Sequence, residues 1–471
     1  MIVSPLLPAL LLGIGGMVLL LAGVLTKRDG FTFCSVASVA LLILAAIASA
    51  VAPDGMLFNG LLKTSLFTRF ADTLAYLGAA MALILSLDYN RRENIARFEY
   101  PILVLFAVLG MIVMISANDL MSLYIGFELQ SLALYITAAI ARDSLRSTEA
   151  GLKYFVLGAL ASGLLIYGIS LVYGFAGTTN FTALAGILGS GAGYGTVIGI
   201  VFVLVGLAFK ISAAPFHMWT PDVYEGAPTP VTALFGTAPK AAAMALFLSV
   251  MLGPFEHLSA QWQGIIEILS AISMALGALA AIGQTSIKRL MAYSSIGHMG
   301  YALMGLAAGT AAGLQATLVY MSLYVVMSFG GFACIIAMRR QGQAVEKISD
   351  LAGLASQRPG LALALAILMW AMAGIPPLSG FFGKLYVFSA ALNAGLIPLV
   401  IIGVITSIIG AFYYLRVIKV MYFDSGTPDF DATPASVRFV MSVGTIATAL
   451  FVFLPGPLIG VAYAAARALM G

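Results

Sequence analysis

The chain consists largely of apolar runs, each long enough to cross a lipid bilayer, separated by short polar loops. A helix needs about 20 apolar residues to span a hydrocarbon core of roughly 30 Å. Because backbone polar groups in lipid must be satisfied internally, such runs predict transmembrane helices. Fourteen windows fit this description, near residues 4–25, 31–51, 72–88, 99–116, 119–140, 150–176, 193–218, 228–252, 261–283, 289–308, 312–338, 360–392, 396–421 and 437–466.

The composition supports an all-α polytopic membrane protein. Of 471 residues, 61% are hydrophobic and 9% are charged, whereas a soluble domain carries about 25% charged residues. The first window has no basic region before it and no small-residue cleavage site, so we predict a first transmembrane helix and not a signal peptide. We expect residues 1–471 to form one membrane domain.

Basic residues are concentrated in the odd-numbered loops between the predicted helices. The positive-inside rule assigns such loops to the cytoplasmic side, which places both termini on the periplasmic side of a bacterial membrane. An even number of crossings agrees with this, because the termini then share a side. The odd-numbered loops hold Lys27, Arg28, Arg91, Arg92, Arg97, Arg142, Arg146, Lys288, Arg289, Arg339, Arg340, Lys347, Arg358, Arg416, Lys419 and Arg438.

Two of the windows contain prolines that predict broken helices. Pro215 follows Lys210 in the seventh window, and Pro376-Pro377 interrupts the twelfth. A proline inside a helix removes a hydrogen bond and clashes with the preceding turn. Breaks five windows apart predict two inverted five-helix repeats, a common transporter plan, over residues 96–255 and 256–421, with helices one to three in 1–95 and helix fourteen in 422–471. Alternatively, prolines are simply frequent in membrane helices.

Four ionisable residues lie within apolar windows. An ionised side chain near the bilayer centre costs about 2.5 to 3.5 kcal/mol on insertion scales, so these groups are expected to have a function. A buried lysine can release its proton near neutral pH, whereas arginine stays charged. We therefore predict proton-transfer sites, with a structural ion pair between helices as the alternative. The four residues are Glu128, Lys210, Lys240 and Lys384.

Three further residues are weaker candidates. Lys153 lies near the start of its window and four residues after Glu149, so snorkelling or a helical ion pair competes with a proton-transfer role. His217 follows Lys210 by seven residues and shares its face if the helix continues past Pro215. His298 has no partner that the sequence can name.

The sequence offers no binding motif for a redox cofactor or nucleotide. Cys34 and Cys334 stand alone in apolar segments, without the spacing of a zinc, haem or iron–sulfur site. The glycines in 189–195 do not fit the dinucleotide fingerprint. We therefore expect no cofactor in this chain and no nucleic-acid partner.

Several motifs resemble one family. Residues 209–231, FKISAAPFHMWTPDVYEGAPTPV, resemble the signature of the antiporter-like subunits of complex I, the proton-pumping NADH:quinone oxidoreductase. Within that family, PDVYEGAPTPV followed by Ala238-Pro239-Lys240 is similar to the subunit N group. Further similar segments are 116–128, 149–154, 288–298 and 374–384, so that the resemblance covers about 95–390.

The resemblance implies specific roles and a specific fold. It implies fourteen helices with inverted repeats around broken helices seven and twelve. Because the chain ends soon after its fourteenth window, we also expect it to lack the long lateral arm of the largest antiporter-like subunit. The resemblance also makes a role for Lys153 more credible. The positions that fall on the family's proton-conducting residues are Glu128, Lys153, Lys210, His217, Lys240 and Lys384.

The function implied is proton translocation coupled to quinone reduction in partner subunits. NADH, FMN, iron–sulfur clusters and quinone would be bound by those partners, and the hetero-oligomer would include neighbouring antiporter-like subunits and membrane lipids in the bacterial inner membrane. The first alternative is a subunit of a cation/proton antiporter, such as a sodium/proton exchanger. The second is a purely structural membrane spacer.

Overall fold

The computed structural model describes residues 4–26, 29–191, 193–426 and 429–470 as a bundle of helices. Helices overlap all fourteen predicted windows. Lys27 and Arg28, which contributed to the predicted orientation, lie outside the described residues. The helices are α1 (Leu7–Leu25), α2 (Gly30–Ala50), α3 (Leu66–Arg92), α4 (Glu99–Ile115), α5 (Leu120–Ala138), α6 (Leu145–Ala176), α7 (Phe181–Leu188), α8 (Tyr194–Ile211), α9 (Trp219–Gly226), α10 (Thr229–Phe235), α11 (Ala238–Met251), α12 (Ser259–Ile282), α13 (Ile287–Ala307), α14 (Ala311–Ala337), α15 (Leu354–Gln357), α16 (Pro359–Ala373), α17 (Ser379–Asn393), α18 (Ile397–Phe423), α19 (Ala435–Leu450) and α20 (Gly456–Met470).

Length and apolarity identify a protein with many membrane crossings. Within the described ranges, 11 helical segments are long and apolar enough to cross a membrane, and three shorter apolar helices accompany them. Two small antiparallel hairpins, which the all-α prediction did not include, occupy loops. They are β1 (Gly55–Leu57) with β2 (Leu62–Thr64), and β3 (Arg339–Arg340) with β4 (Gln343–Ala344).

The structure confirms the two predicted helix breaks. In the seventh window α8 ends at Ile211, and Ser212 adopts the left-handed conformation with φ 64°. In the twelfth window α16 ends before Gly374, which has φ 83°, and α17 begins only after the two prolines. Each break frees backbone carbonyls and amides that a continuous helix would pair.

Two more breaks were not predicted. In the eighth window α10 and α11 are separated at Gly236 and Thr237, and Pro239 occupies the first turn of α11, where a proline is well accommodated. In the fourteenth window α19 passes through a 3-10 turn at Phe451–Phe453 before α20 begins. The prediction of a single uninterrupted helix was wrong for both windows.

The loops gather at two opposite faces of the bundle. At one face, Arg339 pairs with Glu93 at 2.5 Å, and a backbone bridge joins Ser286 to Lys347. These contacts bring together the loops at 92–98, 283–286 and 338–358, so we call this side the basic face. At the opposite face the segments 51–65, 116–119 and 177–181 meet, for example through Asp119 and Thr179. These loops, which the sequence predicted to lie on one side of the membrane, therefore lie on one face of the bundle.

Close helix crossings at glycines bring the central helices together. A Cβ added to Gly277 of α12 would lie 2.5 Å from the backbone nitrogen of Gly297 of α13. A Cβ added to Gly110 of α4 would lie 2.4 Å from the backbone nitrogen of Gln130 and 2.8 Å from the carbonyl oxygen of Gly126. Small residues at such crossings are typical of membrane helix pairs.

Candidate functional site

Helix ends inside the bundle position the three buried lysines. Lys210 lies in the last turn of α8, Lys240 in the first turn of α11, and Lys384 in the second turn of α17. These three lysines are 4%, 1% and 6% exposed, respectively, so none of them reaches the protein surface. Each buried lysine therefore lies within two helical turns of a helix end.

Lys210 contacts α5. Its Nζ donates a hydrogen bond to Ser131 Oγ at 2.5 Å and lies 4.5 Å from the ring centroid of Phe127. Ser131 follows Glu128 by three residues, so both face the same side of α5. Among the residues that the structure describes, no ion pair joins Lys210 to Glu128.

Glu128 is half-buried, although the sequence predicted that it faces the bundle interior. Its carboxylate accepts a hydrogen bond from Ser162 of α6, and Ser162 Oγ lies 3.2 Å from the hydroxyl of Tyr124. The carboxylate thus lies at the edge of the α5 and α6 pair, one turn from Ser131. Within the described ranges, the alternative of an ion pair between Glu128 and a buried lysine is not observed.

Lys240 contacts α13. Its Nζ donates a hydrogen bond to Ser295, whose Oγ lies 2.7 Å from the hydroxyl of Tyr324 on α14. The ammonium also lies 5.5 Å from the ring centroid of Tyr224. Hydroxyl groups and an aromatic face therefore surround this charge, with no carboxylate hydrogen-bonded to it in the described part of the chain.

His298 packs beside Tyr324, which bonds the Ser295 that holds Lys240, and it borders the same cavity as Lys384. Its Nδ1 lies 2.6 Å from the hydroxyl of Tyr320, and its Nε2 lies 3.2 Å from the hydroxyl of Tyr414. Tyr414 also bonds Ser294. The helical spacing of Ser294, Ser295 and His298 was the signal, but their tyrosine partners come from distant windows.

Lys384 binds the end of the helix that precedes it. Its Nζ donates to the backbone carbonyl of Ala373 at 2.8 Å and to Ser407 Oγ at 2.9 Å. The Ala373 carbonyl belongs to the last turn of α16, where carbonyls lack helical partners and a cation is favoured. The ammonium also lies 4.8 Å from the ring centroid of Tyr301.

Together these groups form a polar axis through the bundle. A cavity of about 10 Å³ borders His298, Tyr301, Lys384 and Tyr414, which is close to the least room that one water needs. Each ammonium thus bonds a serine hydroxyl, and hydroxyls able both to donate and to accept protons surround His298. The polar axis comprises Glu128, Ser162, Ser131, Lys210, Lys240, Ser295, Tyr324, His298, Tyr320, Tyr414, Tyr301 and Lys384.

Lys153 lies apart from the polar axis, in an ion-pair network at the basic face. Its Nζ pairs with Asp222 at 2.7 Å and with Glu149 at 2.8 Å, which confirms the helical pair that the sequence suggested. Arg289 also pairs with Asp222 at 2.7 Å. Burial raises the pKa of Asp222, but hydrogen bonds from Lys153 and Arg289 outweigh it and hold that pKa below its usual value.

His217 also lies away from the polar axis. The sequence placed it on the same helix face as Lys210 only if the helix continued past Pro215, and that condition is not met, because α8 ends at Ile211. The side chain is half-buried, and its Nδ1 has no hydrogen-bond partner among the described residues. Its role in proton transfer stays a prediction.

Comparison with known proteins agrees with this arrangement. Residues 117–410 match the family described as NADH:quinone oxidoreductase/Mrp antiporter, transmembrane. The chain is 63% identical to NADH-quinone oxidoreductase subunit N 1 of Acidiphilium cryptum over 98% of both chains. It is 56% identical to NADH-quinone oxidoreductase subunit N of Rhodospirillum rubrum, covering 100% of this chain and 98% of that one.

A solved structure supports the same relationship. A chain of respiratory complex I from Thermus thermophilus with bound Aureothin is 32% identical, with a TM-score of 0.83, over 96% of this chain and 98% of that one. Both the sequence relatives and this structure therefore match nearly the whole length. The chain belongs to the NADH:quinone oxidoreductase/Mrp antiporter family of membrane subunits.

Proposed function

We propose that this chain is the N-type membrane subunit of a proton-translocating NADH:quinone oxidoreductase. The observation that carries the proposal is the polar axis, in which three buried lysines at helix breaks each bond a serine hydroxyl, with His298 and its tyrosine partners near Lys384. The names of the relatives support it, since proteins at 63% and 56% identity over nearly the full length are subunits N of that enzyme.

In this mechanism the lysines bind and release protons in turn. A buried ammonium is destabilised by desolvation, and an approaching carboxylate stabilises it, so a change in their separation alters proton affinity. Ser131 contacts Lys210 one helical turn from Glu128, which gives the carboxylate a short route to influence that lysine. Moving one charge against about 100 mV costs roughly 2.3 kcal/mol, which the redox reaction of the partner subunits supplies.

The helix count and the internal repeats belong to the same proposal. We take the protein to have fourteen crossings, with repeats at 96–255 and 256–421 related by inversion. The glycine crossings support it, because the first helix of each proposed repeat packs against the second at a glycine: Gly110 near Gly126, and Gly277 near Gly297. Each repeat also contains one of the two breaks that the sequence predicted, at Pro215 and at Pro376-Pro377.

The proposed location is the bacterial inner membrane with both termini on the periplasmic side. Clustering of the positively charged odd-numbered loops at the basic face supports this orientation. The redox groups, namely NADH, FMN, iron–sulfur clusters and quinone, are assigned to partner subunits. The chain would function in a hetero-oligomer beside other antiporter-like membrane subunits.

The alternative is a subunit of a cation/proton antiporter. The structure of the Mrp complex from Dietzia sp. contains a chain with TM-score 0.85 over 99% of this chain and 100% of that one, but only 22% identity. Such a likeness shows the fold alone. Proton transport driven by NADH and unaffected by sodium favours the first function, whereas sodium-driven proton movement without NADH favours the second.

Glu128→Gln in the assembled complex tests the proposal. The amide keeps the hydrogen bond from Ser162 but cannot carry the charge, so we expect proton uptake per NADH oxidised to fall by about half or more in reconstituted vesicles. Glu256→Gln is the matched control, because Glu256 is exposed at the opposite face. Unchanged rates of both NADH oxidation and proton uptake in correctly assembled Glu128→Gln complex contradict the proposal.

Lys153 gives a separate prediction, because its geometry favours an ion pair over a proton-transfer site. We expect Lys153→Arg to retain most of the proton pumping, since arginine can pair with Asp222 but does not release protons. Lys153→Met should pump less. The comparison is made by vesicle acidification, and loss of pumping in Lys153→Arg would show that this residue must titrate, as the family resemblance implies.

A further inference from the structure

A buried carboxyl that the polar axis does not use lies between α2 and α3. Asp72 is 5% exposed, about 9 Å along α3 from its start at the opposite face. Its Oδ2 lies 3.5 Å from Ser49 Oγ of α2, and its Oδ1 has no partner among the described residues. Arg69, one turn earlier, pairs instead with Asp54. An ionisable group at this depth is expected to have a function.

Polar groups continue along the same stripe of α3. Tyr76 follows one turn after Asp72, and its buried hydroxyl has no partner in the described structure. Positions 72, 76, 79, 83, 86 and 90 are spaced by four and three residues, so they share one face of the helix. Asn90, at the end near the basic face, is 1% exposed, and neither its amide nitrogen nor its oxygen is hydrogen-bonded within the described ranges.

The facing stripe of α2 has the same character. Ser35 and Ser38 are fully buried, and their hydroxyls lack partners among the residues described. Ser35 and Ser38 lie on the same face of α2 as Ser49, because positions 35, 38, 42, 45 and 49 are spaced by three and four residues. At the start of α4, near the basic face, Glu99 likewise has a buried carboxylate oxygen with no such partner. Buried polar atoms of this kind are usually satisfied by ordered water.

An apolar layer separates the two polar halves. Ser49 of α2 contacts Asp72 of α3, and the two helices are antiparallel neighbours. The residue seven positions before Ser49 and the residue seven positions after Asp72 therefore lie at one depth, about 10 Å closer to the basic face. Those residues are Leu42 and Ala79, and Leu83 follows one turn later. All three are fully buried. The contact between α2 and α3 therefore has polar groups at both ends and apolar residues in the middle.

We infer that α2, α3 and the start of α4 form a second proton path, separate from the polar axis and closed at rest by the layer of Leu42, Ala79 and Leu83. Glu99 exchanges protons with water at the basic face, and Asp72 exchanges them with water at the opposite face. Each carboxylate takes a proton from water and returns it to water, so no redox partner is required. Hydrophobic layers are known to block conduction by excluding water.

Opening the apolar layer tests this inference. In vesicles containing the whole complex without NADH, an imposed pH gradient should decay several-fold faster with Leu42→Asn than with the native protein. Leu165→Asn, which alters an equally buried leucine of α6, should not accelerate the decay. Adding Asp72→Asn to Leu42→Asn should abolish the leak, whereas adding Lys240→Ala should not.

Each outcome decides the inference. Absence of a leak in assembled Leu42→Asn complex, or a leak that persists without Asp72, overturns it. A leak that disappears with Lys240→Ala would assign the path to the polar axis instead. If Leu42→Asn complex does not assemble, infrared spectroscopy of the native protein is used, and the carboxyl band of Asp72 is identified by its loss in Asp72→Asn. We expect this band to shift within the time of buffer exchange into deuterated water. An unshifted band overturns the inference. None of these results depends on whether the polar axis pumps.

Discussion

Replacing Lys240 with alanine is expected to lower NADH-driven proton pumping at least tenfold. The Lys240 ammonium donates a hydrogen bond to Ser295, and Ser295 is hydrogen-bonded to Tyr324. The ring of Tyr324 packs beside the ring of His298. Alanine removes the group that binds the proton and leaves a gap in the polar axis that the neighbouring hydroxyls cannot span. If redox chemistry and pumping are tightly coupled, quinone reduction should fall with it. Both rates are measured on reconstituted complex.

Lys240→Arg separates a titrating lysine from a structural cation. Arginine keeps the positive charge but does not give up its proton, so we expect it to be nearly as inactive as alanine. Lys347→Ala is the matched control, because Lys347 is exposed at the basic face and should leave both rates unchanged. Native pumping by assembled Lys240→Arg complex would mean that this lysine does not titrate.

The second large effect is expected from Gly277→Ala. The added methyl carbon would lie 2.5 Å from the backbone nitrogen and 2.7 Å from the Cα of Gly297. Since backbone cannot move aside as a flexible side chain can, α12 and α13 must separate, and overpacking typically costs about 1 to 3 kcal/mol. We expect a lower thermal unfolding temperature and less of this subunit in the purified complex.

Gly264→Ala is the matched control for that prediction. Gly264 lies on the same helix, but its added methyl would meet no atom within 4 Å. Alanine has the higher helix propensity, so the control should be neutral or slightly stabilising. Equal stability of the Gly264 and Gly277 variants, measured by thermal shift and by subunit content, would show that the crossing tolerates a side chain.

The crossings and the buried lysines were predictable because their signals are local. A window of apolar residues indicates a crossing by itself, and a lysine within it carries a free-energy cost wherever it lies. Pro215 and Pro376 likewise indicated breaks. The break at Gly236 was missed because Pro239 was not recognised as the start of a new helix, and the break after Leu450 because the apolar run continues through it.

The contacts of the candidate site were less predictable, because they join distant parts of the chain. His298 meets Tyr320 and Tyr414, and neither contact follows from periodicity. The shared face of Lys210 and His217 was conditional on a continuous helix, and the predicted break after Ile211 removes that condition. Asp72 was overlooked because it is at the edge of its apolar window, and a carboxyl at that position is typical of a loop.

The way Lys384 is held limits the groups that could exchange a proton with it. Its hydrogen-bond partner at Ala373 is a peptide carbonyl, which stabilises the charged ammonium but cannot itself accept the proton for onward transfer. The neighbours that could exchange a proton with it are the Ser407 hydroxyl and the groups around the cavity that Lys384 shares with Tyr301 and His298. The end of α16 therefore stabilises the charged lysine and closes that side of it to onward proton transfer.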